Sequence, residues 1–330
     1  MPDLKSWNLW HGCRKYSEGC ENCYMYYLDE ARGVPERASE IRKTGDFSKP
    51  VKQNRHGVYK IPAGYCLRIN MTSDTFLEEA DEWRSEMWAM IRARPDVRFY
   101  ILTKRVPRIA ACLPEDWGDG WENVELNITC ENQCAFDERW PIFAGIPAKH
   151  KGMNLAPLLG PIDITPALAS GQLESVCLGG EGFGGRRPCR YEWVKDISDN
   201  CARHQVNFTW NATGAIFVKD GRRYRIDSQL VQGQQAYKSG LSRFYQKPVF
   251  KLYDPVDGHL LTENELMKPS YNASRCVTCS SFETCIGCVD CGVCKDVRLV
   301  SKGDIERIRA EKTEKEQVNQ ANGSLSNSRF

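Results

Sequence analysis

The sequence predicts an α/β chain whose first 215 residues form a partial TIM-type parallel barrel, followed by a smaller cysteine-rich domain. Three observations predict it. Short apolar runs of strand character alternate with longer amphipathic segments from residue 5 to about 215. The units follow one another six or seven times, and crossovers of one hand curl such a sheet toward a barrel, though with fewer strands than a closed one. Nine of the sixteen cysteines fall in two groups, at 13–23 and 276–294, which sets the second group apart as its own domain. An open doubly wound sheet shares the alternation and stands as the alternative fold.

The elements follow in order. A first strand is expected at Ser6 to Trp10. "GYCLRI" (64–69) precedes "EEADEWRSEMWAMIRAR", where Ala80, Trp83, Met87, Met90 and Ile91 recur at helical spacing. "VRFYILT" (97–103) precedes "KRVPRIAACL", and "NVELNIT" (123–129) precedes "ENQCAFDERWPIFAG". "KHKGMNLA" (149–156) leads into "PIDITPALASG", "LESVCLGG" (173–180) into "RYEWVKDISDNCARH", and "QVNFTW" (205–210) closes the series. In a sheet of this kind chemistry collects at the carboxyl ends of the strands. The segments to read are therefore Asn70 to Asp74, Thr103 to Arg105, Thr129 to Asn132, Asn154 to Pro157, Gly179 to Gly184 and Trp210 to Gly214.

Beyond 215 the rhythm breaks. The domain organisation expected is a barrel over 1–215, an extension over 216–302 carrying the cysteine-rich segment, and a charged tail over 303–330 that begins as a frayed helix. "VKDGRRYRI" reads as a hairpin about Asp220-Gly221. Arg222, Arg223, Arg225, Lys238, Arg243, Lys247 and Lys251, interleaved with Tyr224, Tyr237, Phe244, Tyr245 and Tyr253, form either a nucleic-acid surface or an ordinary solvated face over core aromatics.

Charge totals, 45 Lys plus Arg against 43 Asp plus Glu, demand neither a polyanion nor a membrane surface as partner. No apolar run approaches the roughly 20 residues of a membrane span. The start "MPDLKSWNLW" lacks the layout of a signal peptide, so a cytoplasmic protein is expected. In a reducing compartment grouped cysteines read as metal ligands or catalytic groups. The scattered Cys66, Cys112, Cys130, Cys134, Cys177, Cys189 and Cys201 read mainly as small buried apolar residues.

"WHGCRKYSEGCENCY" carries Cys13, Cys20 and Cys23 at a C-x6-C-x2-C spacing. Three thiolates can hold three corners of a 4Fe-4S cluster and leave one iron open. The same spacing serves a zinc knuckle completed by His11 or a distant residue. Lys104 and Arg105, at a strand end, suit a phosphate or carboxylate, or else are helix-start charges in solvent. Cys130 and Cys134, four apart, are expected on one helix face, where either could serve as a reactive thiol or simply pack.

"WNLWHGCRKYSEGCENCY", "INMTSDTF", "YILTKRVPRI", "LAPLLGPIDITP" and "CLGGEGFGGRRP", in that order, resemble the phage Gp37/Gp68-like proteins, a domain of unknown function similar to members of the radical SAM superfamily. The resemblance covers residues 5 to 225. It implies a partial TIM barrel of the radical SAM kind, a 4Fe-4S cluster on Cys13, Cys20 and Cys23, and S-adenosylmethionine on the open iron, cleaved to a 5'-deoxyadenosyl radical. Asn70, Ser73 and Asp74, with Tyr24, Gly179 and Gly180, become the expected cofactor-binding residues, and Lys104, Cys130 and Glu181 the catalytic candidates. The chain departs from the resemblance in its longer cysteine loop, in Asn22 before the third cysteine, in Ala156 where an acidic residue is usual, and in Asn211-Ala212-Thr213-Gly214 at the last strand end. These departures point to a substrate of its own.

"CVTCSSFETCIGCVDCGVCK" supplies Cys276, Cys279, Cys285, Cys288, Cys291 and Cys294. Such density marks metal ligands, and the spacing resembles ferredoxin and auxiliary-cluster loops of the radical SAM superfamily, implying one or two auxiliary iron-sulfur clusters. Cys189 and Cys201 are candidates to complete a second cluster, and zinc is the alternative metal. The resulting expectation is a radical SAM enzyme acting on a nucleic acid or nucleotide and reduced by a donor such as flavodoxin or ferredoxin. A peptide-modifying enzyme and a zinc-stabilised nucleic-acid-binding protein without catalysis are the alternatives.

Overall fold

The structure, a computed structural model, describes residues 4–183, 187–246, 248–262, 265–266, 271–272, 299–300 and 305–314. The chain divides into two compact units, one running from Leu4 to Met267. In the other, the described residues are a two-stranded antiparallel pair, Tyr271–Asn272 with Leu299–Val300, and a helix over 305–314. The six cysteines from Cys276 to Cys294 lie outside the described residues.

In the first unit the elements run β1 (Leu4–Trp7), β2 (Trp10–His11), α1 (Tyr24–Ala31), β3 (Arg42–Lys43), β4 (Cys66–Ile69), α2 (Asp81–Arg92), β5 (Arg98–Thr103), α3 (Ile109–Cys112), β6 (Val124–Thr129) and α4 (Gln133–Ala144). They continue with β7 (His150–Leu155), α5 (Thr165–Ala169), β8 (Ser175–Gly179), β9 (Cys189–Arg190), α6 (Tyr191–Arg203), β10 (Asn207–Ala212), β11 (Ile216–Lys219), β12 (Arg222–Arg225) and α7 (Gln229–Lys238). Seven strands make one parallel sheet in the order β1-β4-β5-β6-β7-β8-β10. Spatial order follows chain order without a reversal, so the doubly wound alternative does not hold and the sheet curls as a half-barrel.

The first strand is shorter than expected. The side-chain oxygen of Asn70 accepts the N–H groups of Leu9 (2.9 Å) and Trp10 (3.4 Å), which takes the chain out of the ladder after Trp7. Trp10 and His11 then pair with β3 instead. The hairpin about Asp220-Gly221 forms as expected, with both residues at positive φ and β11 paired to β12.

One face of the sheet is mainly apolar, with buried Lys151 bonded to the Phe143 and Ala144 carbonyls of α4 as an exception. Leu67, Ile69, Phe99, Ile101, Val124, Leu126, Ile128, Met153, Leu155, Val176, Leu178 and Phe208 are buried in one core with Met87, Trp88 and Ile91 of α2, Phe136, Trp140 and Phe143 of α4, and Val194 and Ile197 of α6. The helices therefore wrap the convex side. The outer edge of β10 is covered by the segment after α7, where Phe208 bridges Arg243, Ser242 accepts the Trp210 N–H (3.0 Å), and Asn207 bonds both Gln246 and Tyr245 at 2.8 Å.

Candidate functional site

Because the strands are parallel, the segments after β1, β4, β5, β6 and β8 meet on one rim, and the cysteine loop lies there. Cys13 is set by the β2–β3 pair. Its N–H donates to the Ala38 carbonyl (2.9 Å), and the Tyr26 hydroxyl donates to its own carbonyl (2.5 Å). Gly12 before it has a φ of 87°, and a Cβ there would stand 2.4 Å from the Glu40 carbonyl oxygen, so only glycine lets the loop turn this close. Cys20 ends a single 3-10 turn, Glu18–Cys20, and Cys23 caps α1, with its sulfur against the amides of Met25 and Tyr26. No disulfide joins Cys13, Cys20 or Cys23.

The three cysteines line one cavity of about 70 Å³ together with Ser73, Asp74 and Lys104. Burial pushes the Cys13 thiol up to about 12, Asp74 adding to the rise and Arg105 opposing it. Burial also raises Cys23, against the pull of the Met25 amide and Lys104. Left to themselves these sulfurs keep their protons; a bound cation supplies the charge that makes them thiolates. The three do not form a set with all sulfurs within 4.8 Å of one another.

Two carboxylates from later strands hold the loop. Glu131, just past β6 and fully buried, pairs with buried Arg139 (2.8 Å) and accepts the Gly19 N–H (3.2 Å). Burial raises its pKa, but the hydrogen bond and charge of Arg139 outweigh that and leave it below the ordinary value. Glu181, past β8, accepts from the Asn22 amide (3.2 Å), the Arg187 N–H (2.7 Å) and the Arg187 guanidinium (2.7 Å). Arg187 also reaches Glu21 (3.0 Å) and Glu18 (3.3 Å), so one guanidinium ties the cysteine loop to the rim. Phe183 adds ring contacts to Tyr24 and Tyr27 of α1.

A family model described as a protein of unknown function (DUF5131) matches residues 4–321. The chain belongs to the DUF5131 family. No curated protein and no solved structure matches it.

In this DUF5131 chain the expected residues are placed unevenly. Ser73, Asp74 and Lys104 face the cavity with the cysteines. Ser73 donates to the Gly12 carbonyl, and Asp74 accepts from the Phe76 N–H (2.9 Å), the Thr103 hydroxyl (2.8 Å) and the Lys104 N–H (3.1 Å). Asn70 is buried under the loop it anchors, and the Tyr24 hydroxyl donates to the Met71 carbonyl. Arg105 packs against the Tyr16 ring and donates to the Arg14 carbonyl (3.1 Å), whereas the Lys104 side chain forms no ion pair among the described residues. Gly180 lies where a Cβ would meet the Thr213 carbonyl oxygen at 2.4 Å, so it serves close packing of the β8 and β10 ends.

Cys130 is fully buried in the core and does not line the cavity. It precedes α4, which starts past the Asn132 cap, while Cys134 lies exposed within α4, so the two do not share a helix face. Cys189 and Cys201 are both buried in the core of this unit. Arg222, Arg223 and Arg225 are exposed on β12, as are Tyr224, Tyr237, Phe244 and Tyr245, so these aromatics are not core; Lys247 is outside the described residues. Sequence reasoning missed Asn22, Glu131 and Arg187 as loop supports. No helix of the described residues is long and apolar enough to cross a membrane.

Proposed function

We propose that this chain is a radical SAM enzyme that modifies or repairs a nucleic acid or nucleotide, with a 4Fe-4S cluster on Cys13, Cys20 and Cys23. The observation that carries the reading is the convergence of three thiols from one loop on a cavity walled by Ser73, Asp74 and Lys104. When bound, a cluster with an open iron supplies reductive cleavage of S-adenosylmethionine to a 5'-deoxyadenosyl radical.

The chain's own residues do the positioning. Glu131 and Glu181, through Gly19 and Asn22, hold the two sides of the turn that carries Cys20. Lys104 offers an ammonium to the cavity, where it suits a carboxylate such as that of an amino acid. Ser73 and Asp74, with their oxygens committed to backbone, shape the wall. The exposed Arg222, Arg223 and Arg225, with the exposed Tyr224 among them, suit stacking and phosphate contact with a nucleic acid, and Tyr237, Phe244 and Tyr245 are exposed as well. We read Cys276, Cys279, Cys285, Cys288, Cys291 and Cys294 as ligands of auxiliary iron-sulfur clusters. The reading calls for a cytoplasmic setting and an electron donor such as flavodoxin or ferredoxin.

The test is anaerobic purification with iron, sulfide and zinc quantified, then reduction with S-adenosylmethionine and an assay for 5'-deoxyadenosine. The cysteine loop is expected to hold about four irons per chain. The triple variant Cys13→Ala, Cys20→Ala, Cys23→Ala loses them together with 5'-deoxyadenosine formation. Zinc without iron, and no cleavage under any reductant, would leave a zinc-stabilised binding protein in place of the enzyme.

A further inference from the structure

The sheet has a second face, opposite the helices. Residues that alternate with the apolar core along the strands fall on it: Cys66 and Arg68 on β4, Arg98 and Tyr100 on β5, Glu125 and Asn127 on β6, Gly152 and Asn154 on β7, Ser175 and Cys177 on β8. This is the concave side, which barrels of this class fill with branched apolar side chains. Here it is polar.

Its floor is closed. Phe250 stacks on the His150 ring at 3.8 Å and lies under the Arg98 guanidinium, also at 3.8 Å; His150 bonds Glu174 (3.0 Å), and Glu125 takes the Asn127 amide (3.2 Å). Gly152 has no room for a side chain, since a Cβ would meet Asn127 Oδ1 at 2.0 Å and Ser175 Oγ at 3.0 Å. Arg98 Nε and His150 Nε2 are buried without hydrogen-bond partners, yet each charge at this level faces an opposite one, Arg98 with Glu125 (3.8 Å) and His150 with Glu174.

Nearer the cysteine rim the charge is not paired among the described residues. Arg68 is half-buried, its guanidinium 5.4 Å from the Tyr100 ring centroid, and its Nε is buried without a hydrogen-bond partner. Among the described residues no carboxylate pairs with it. Asn154 lies close to the Tyr100 side chain and its Oδ1 is buried and unpartnered. A half-buried cation without an anion is costly to the fold unless something outside the chain completes it. Arginine's fork of donors suits an oxyanion, and a neighbouring unsatisfied amide oxygen suits a donor on the same ligand.

We infer that the concave face is a substrate-binding surface and that Arg68 anchors an oxyanion of that substrate, a phosphate or a carboxylate, with Tyr100 and Asn154 beside it. The inference rests on the enzymatic reading for the use made of the ligand, and on this geometry for its chemistry. It favours a small charged unit, such as a nucleotide.

Calorimetry on the anaerobically purified protein tests it, with inorganic phosphate, thymidine monophosphate, uncharged thymidine and succinate as probes. Wild type binds an anionic probe, more weakly as salt rises, and thymidine far less. The phosphate and succinate arms separate the two sources of oxyanion. Arg68→Gln weakens binding at least tenfold, Arg68→Lys restores part of it, and Lys195→Gln, exposed on α6, changes nothing. In the absence of ligand Arg68→Gln melts no lower than wild type, because it removes an unpaired charge. Absence of saturable binding by every anion, equal binding by Arg68→Gln, or a marked fall in its melting temperature without ligand would each overturn the inference. Binding is read without turnover, so a protein that lacks iron yet holds an anion on Arg68 would refute the radical chemistry and leave this site standing.

Discussion

At the scale of single residues, the cysteine loop depends on charges that are themselves buried. Glu131 and Arg139 are each about 1% exposed, and removing one partner of such a pair leaves the other charge uncompensated. Glu131→Gln is expected to cost about 3–5 kcal/mol at neutral pH, read by chemical denaturation. The pH dependence has a definite sign. The folded carboxylate sits below its ordinary value of 4.5, so its contribution is present above that value and is lost as pH falls through the folded pKa. The difference between wild type and Glu131→Gln therefore shrinks on acidification; a constant difference from pH 7 to pH 3 would show that the charge is not what matters. Glu181 has a different lesson. The residue type and the glycines around it suggest a catalytic carboxylate, yet both oxygens are taken by Asn22 and Arg187. On the proposed cluster reading, Arg187→Ala, which removes the shared cation from Glu18, Glu21 and Glu181, is expected to lower iron retention by the loop more than it lowers the global melting temperature. Iron per chain after gel filtration, set beside a melting curve, measures both.

At the scale of elements, the ends of β8 and β10 interlock through backbone. A Cβ on Gly180 would stand 2.4 Å from the Thr213 carbonyl oxygen, and Gly214, at φ 82°, would bring one within 2.9 Å of the Glu181 N–H. Gly180→Ala must push the two strand ends apart, an overpacking cost of about 1–3 kcal/mol, and it displaces Glu181 from Asn22 as well. An unchanged unfolding midpoint would contradict this packing. The strands and the hairpin were legible in sequence because their signals are local: alternating apolar runs, and Asp220-Gly221 at a turn. The early end of β1 was not legible, because the group that diverts Leu9 is the side chain of Asn70, 61 residues away. The supports of the cysteine loop were hidden for the same reason, with Gly19 and Glu131 112 residues apart and Asn22 and Glu181 159 apart. The grouping of Cys13, Cys20 and Cys23 was plain, since spacing is written locally.

At the scale of the whole molecule, the chain after α7 completes the half-barrel. Ser242, Tyr245 and Gln246 cover the β10 edge, and Phe250 closes the floor between His150 and Arg98. A chain cut after residue 240 would present an unpaired parallel-sheet edge and an open polar floor. It is expected to aggregate and to bind a hydrophobic dye, while the full chain does neither. The distant ties of the cysteine loop also have a consequence in time. Synthesis runs from the amino end at about 5–20 residues per second, so the 159 residues between Asn22 and Glu181 take on the order of ten to thirty seconds to appear. For that interval the cysteine loop exists without the carboxylates that shape it. The loop is thus made well before the groups that hold its shape, and it takes its final form only once they have folded around it.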